Sequence, residues 1–148
     1  MNNILEYLEH TTLCYPNKIA AKDDKKQCTY SELNNRAKEI GTFIAKRHDV
    51  RKPVAVFMEK GVDTLQIFMG IVAAGDFYVL VDPSFPLQRI TQILGVLEPE
   101  MVITKEEYKE KLFETGYKGM VVEVGELSAE IDEALLATIR SQSLDTDP

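Results

Sequence analysis

Apolar residues along this chain switch repeatedly between a spacing of three or four and short unbroken runs, the pattern of helices alternating with covered strands. Ile4, Leu5, Leu8, Thr12 and Leu13 predict an amphipathic helix over 3–14, ended by Tyr15-Pro16. Two short extended runs, Lys18 to Ala21 and Gln27 to Thr29, flank the polar turn 22–26 and predict a hairpin. Leu33, Ala37, Ile40, Ile44 and Ala45 then form the stripe of a second helix, which Thr29 and Glu32 are spaced to start as a capping box. Val54 to Met58 is a buried strand.

From Leu65 to Ala74 the one strongly polar residue is Gln66, so this helix is apolar nearly all round and belongs inside a layered domain. Gly75 is placed to stop it in the left-handed conformation. Phe77 to Val81 follows as a strand with no polar alternation, expected to be covered on both faces. After Asp82-Pro83, Pro86 suits the first turn of a helix reaching about Leu97, with Ile90, Ile93, Leu94 and Leu97 inward. Strands at Met101–Thr104 and Met120–Val124 bracket a charged helix over 105–115. In that helix Glu107 and Lys111 stand four apart in the favourable order, and Tyr108 and Leu112 face in. A last helix is expected from Ser128 to Arg140, with Ile131, Leu135 and Ile139 on one side. The fold class is therefore α/β: a mostly parallel sheet with right-handed crossovers, flanked by helices, with an antiparallel hairpin near the N-terminus. Residues 1–140 make one domain, and the polar tail 141–148 reads as a linker or a truncation point.

Composition narrows the function less than it narrows the fold. A chain of 148 residues can bury roughly 70% of its unfolded surface. No apolar run is long enough to span a membrane, and the first residues lack a basic region followed by an apolar block, so the expected location is cytoplasmic. Residues 1–74 carry 11 basic against 9 acidic side chains, whereas residues 75–148 carry 6 against 15. That surface disfavours nucleic acid and offers a triphosphate few partners. Cys14 and Cys28 fit neither a disulfide framework nor paired metal ligands and read as small apolar fillers. Asp23-Asp24 between lysines reads as a solvated turn, and His10 and His48 as solvated histidines. Glu59-Lys60-Gly61, where a strand end meets a helix start, has the geometry of a phosphate site but no glycine fingerprint, and reads as a plain βα turn. Gly116-x-x-Gly119 reads as another plain turn.

Residue identities add a resemblance. Ala74-Gly75-x-x-Tyr78-Val79-x-x-Asp82-Pro83, continued by Pro86-x-x-Arg89-Ile90, resembles the second signature motif of the amino-acid adenylation domains of nonribosomal peptide synthetases. These belong to the adenylate-forming, AMP-binding superfamily together with acyl-CoA synthetases, luciferases and D-alanine ligases. Thr29-Tyr30-x-Glu32-Leu33 is similar to the family's first motif and lies in the family's order, about 41 residues upstream. Two positions depart from the pattern: Ala73 stands where the family usually has lysine, and Leu80 where it favours proline. The resemblance covers essentially the whole chain as the N-terminal portion of such a domain. It implies a parent enzyme that uses ATP and Mg to convert an amino acid to aminoacyl-AMP, with a carrier-protein phosphopantetheine or CoA thiol as acceptor. It also implies that the family's phosphate loop, Thr-Ser-Gly-Thr/Ser-Thr-Gly-x-Pro-Lys-Gly, would follow, and no Thr-Ser-Gly occurs here. The expectation is that this stretch holds no catalytic, cofactor-binding or metal residue and is inactive alone. Its partners would be the remainder of the domain and a carrier protein, with neither nucleic acid nor membrane, and its exposed apolar surface would self-associate. A fragment of an acyl-CoA synthetase or D-alanine ligase, or a complete small α/β binding protein similar in architecture only, stands as the alternative.

Overall fold

The computed structural model describes residues 4–47 and 51–145; His48 lies outside them. Helix α1 (Ile4–Cys14) leads into the antiparallel hairpin β1 (Ile19–Lys22) and β2 (Gln27–Thr29), then α2 (Tyr30–Ala45). The α2 start is the expected capping box. Thr29 Oγ1 accepts from the Glu32 amide at 3.1 Å, and Glu32 Oε1 accepts from the Thr29 amide at 2.8 Å.

The main sheet comprises β3 (Pro53–Phe57), β4 (Phe77–Val81), β5 (Met101–Thr104) and β6 (Met120–Glu123), all parallel, in the order β4-β3-β5-β6. Helices α3 (Val62–Ala73), α4 (Leu87–Leu97) and α5 (Glu106–Glu114) make the crossovers. Side chains alternate along β3. Val54, Val56 and Met58 pack with Ile40 and Ile44 of α2 and Ile67 and Ile71 of α3. Ala55 and Phe57 point the other way, to Ile90 and Leu94 of α4 and Leu112 of α5. Both faces of the two inner strands are thus covered, which explains their unbroken apolar sequence. Helix α1 and α6 (Glu133–Asp145) close the outside of α2 and α3 through Leu5, Leu8 and Leu136. Helices α2 and α3 approach closely because Gly70 lacks a side chain: a Cβ there would meet Ile40 Cγ2 at 2.4 Å.

The central helix is as apolar in its surroundings as in its sequence, with no residue of α3 fully exposed. It ends as expected. Gly75 has φ 80°, its amide donates to the Val72 carbonyl, and the Asp76 amide donates to the Ile71 carbonyl. This paired left-handed stop satisfies two carbonyls that the helix leaves open.

Several expectations need correction. Strand β4 is an edge strand, so Phe77 and Tyr78 are 50% and 43% exposed rather than covered. Cys28 is buried, but Cys14, at the end of α1, is exposed. Lys111 is turned away from Glu107 and donates to the carbonyls of Pro83 at 2.6 Å and Phe85 at 2.8 Å. The last helix begins at Glu133 rather than Ser128, because Asp132 caps it by accepting from the Leu135 amide at 3.0 Å; it runs on past Arg140 through Asp145. Among the described residues no helix is long and apolar enough to cross a membrane.

Candidate functional site

From β3 the chain steps outward to β4, then returns across β3 to form β5 on its other side. In open α/β sheets the crevice at the carboxyl ends of two such strands is where ligands bind. Here a cleft of about 170 Å³ opens beside the ends of β3 and β5 and the start of α3, and an adjoining one of about 420 Å³ extends toward β4, Asp82 and Phe85.

Glu59, just past β3, is the hub. Its carboxylate accepts from the Lys105 ammonium and, at 2.7 Å, from the Tyr108 hydroxyl, while its carbonyl accepts from Thr64 Oγ1 at 2.6 Å. Burial resists ionisation of Glu59, but the Lys105 and Tyr108 contacts outweigh it and hold the carboxyl at about 2. The hydrogen bond to Glu59, helped by burial, pushes the Tyr108 phenol up to about 12, and the one from Lys105 raises its ammonium although burial works against it. Below this group, Thr104 Oγ1 donates to the Phe57 carbonyl at 2.7 Å, tying β5 to β3 in the buried core. The contacts of Lys105 and Tyr108 with Glu59 fasten the end of β3 to the start of α5.

The Glu59-Lys60-Gly61 junction is the turn from β3 into α3. Its helix start is nevertheless an anion site, filled by the chain itself. Asp23, at the hairpin tip, accepts from the Val62 amide through Oδ2 at 2.7 Å, and through Oδ1 from the amides of Lys25 and Lys26 at 2.8 and 2.9 Å. Those three amides, the Val62 amide foremost, bring its carboxyl down to about 2. Asp23 is therefore a helix cap and not the solvated turn its neighbours suggest, whereas Asp24 is exposed as expected. Gly61 makes room for it, since a Cβ there would lie 2.7 Å from Asp23 Oδ2. Lys26 adds an ion pair to Asp63.

These residues do not fit a magnesium triphosphate. The smaller cleft is lined by four carboxylates, Asp23, Asp24, Glu59 and Asp63, against four lysines, Lys25, Lys26, Lys60 and Lys105, and the helix start is already capped. Among the described residues no group of three or more His, Cys, Asp or Glu is placed to hold a metal ion. His10 is exposed on α1.

Of the signature residues Asp82 lines the adjoining cleft, and the others serve as packing and turn elements away from it. Ala74 is buried at the end of α3, Gly75 makes the left-handed stop, and Tyr78 stacks on Phe68 with centroids 4.0 Å apart and planes 9° apart. Val79 joins the core on the α4 side. Asp82 accepts from the Ser84 amide at 2.9 Å, which lowers its carboxyl and shapes the turn into α4. Arg89 lies over the Phe85 ring at 4.1 Å, and Ile90 is fully buried. Lys111, reaching the carbonyls of Pro83 and Phe85, fixes that turn from the far side.

Comparison with known proteins agrees with this construction. The family model described as AMP-binding enzyme matches residues 8–145. Tyrocidine synthase 1 of Brevibacillus parabrevis is 26% identical over 146 residues, which is 98% of this chain and 13% of that protein. A D-alanine--D-alanyl carrier protein ligase of Listeria monocytogenes is 36% identical over 90 residues, 60% of this chain and 18% of that one. Among solved structures, VinN superposes with a TM-score of 0.77 at 18% identity over 97% of this chain and 36% of its own, sharing the fold. The chain thus spans only a small part of the relatives it matches. With a family match over nearly its full length, this chain belongs to the AMP-binding enzyme family.

Proposed function

We propose that this chain, through the end of α6 at Asp145, is the N-terminal subdomain of an amino-acid adenylation domain, ahead of a phosphate loop that the sequence does not contain. In the parent, a carboxylate oxygen of the amino acid attacks the α-phosphorus of ATP and pyrophosphate leaves. The thiol of a carrier phosphopantetheine then takes the acyl group and AMP leaves. ATP and Mg belong to that parent, which on this reading is cytoplasmic. The observation that carries the proposal is the pair of motifs, the Thr29–Glu32 capping box and the Ala74–Pro83 turn and strand, present in family order within the matched region. Identity to tyrocidine synthase 1 across nearly the whole chain favours an amino acid as substrate. The 36% identity to a D-alanine carrier ligase supports a second reading within the same reaction class.

Pyrophosphate exchange into ATP, measured on the isolated chain with a panel of amino acids including D-alanine, tests the division of labour. No exchange is expected from these residues, and clear exchange would overturn the proposal. The partners on this reading are the remainder of the domain and a carrier protein. Apart from them, the chain leaves Phe77, Tyr78, Phe113 and Met120 exposed, and is expected to self-associate. Light scattering that shows a strict monomer, with no binding of an apolar dye, would count against a subdomain separated from its neighbours.

A further inference from the structure

We draw no further inference here: the strongest candidate, the cleft around the N-terminus of α3 at the carboxyl ends of β3 and β5, carries none because the chain's own Asp23 already caps that helix start, Glu59 and Lys105 are paired with each other, and no second observation points to a ligand.

Discussion

The segment Val62–Val81 and the cleft beside it meet at Gly61 and are held by opposite physics. In the segment, Ile67, Ile71, Ala74 and Val81 are almost wholly removed from water, and the order of the chain rests on apolar burial and one left-handed glycine. In the cleft, Glu59, Lys105, Asp23 and Lys26 stay partly or largely in contact with solvent, and order rests on charge and hydrogen bonds. Burying an apolar side chain contributes ~1.5–3 kcal/mol, whereas a pair with one member well exposed is screened and contributes little. The apolar residues of this region therefore hold α3 to the sheet, while the charged ones set how the strand ends and the hairpin are joined.

The contrast is tested first by Ile71→Ala. It removes a fully buried side chain from between α3 and the sheet and should cost about 2–5 kcal/mol by urea denaturation, with little dependence on salt. A loss below ~1 kcal/mol would mean that α3 is not the core element its burial indicates. Next in size, Gly75→Val puts a β-branched residue at φ 80° and should destabilise by more than ~1 kcal/mol; an unchanged midpoint would show that the stop of α3 does not depend on this conformation.

The smallest effect belongs to the cleft. Glu59→Gln keeps the shape but removes the charge that Lys105 and Tyr108 hold, and with Glu59 41% exposed the loss should be only ~0.2–1 kcal/mol at neutral pH. The folded carboxyl sits at about 2, below its ordinary 4.5, so its contribution is complete above the ordinary value and fades as pH falls toward the folded one. The gap between the two proteins should therefore narrow as pH falls from about 4.5 to about 2, and should also shrink with added salt. A gap that held constant with pH would exclude Glu59 ionisation as its source.

Legibility in the sequence follows how local the determining contacts are. The α2 start was readable because Thr29 and Glu32 are three residues apart, and the α3 stop because a glycine after an apolar helix has one obvious use. Strand β4 was recognisable as a strand but not as an edge, since the order β4-β3-β5-β6 is set by pairings between distant segments. The start of α6 was misplaced because Ser128 and Asp132 are both competent caps, and the one used also donates its amide to Thr42 Oγ1, 90 residues away. Of the candidate site, the turn from β3 into α3 was visible in the sequence, because a strand run and an apolar helix meet at Gly61. Asp23 was missed. Two adjacent carboxylates among lysines look solvated unless the helix start that one of them caps is already known to lie alongside.

That cap gives the domain an order of assembly. The bond from the Val62 amide to Asp23 joins residues 39 apart, and its two ends meet only after α2 and β3 have folded back between them. Closing such a loop costs chain entropy that one part-buried hydrogen bond cannot offset on its own. The hairpin tip should thus settle late and release early, with the Val62 amide exchanging its hydrogen sooner than the amides deeper in α3. The tip of the hairpin would then act as a clasp on the start of α3, fastened late although the hairpin's own Cys28 belongs to the core.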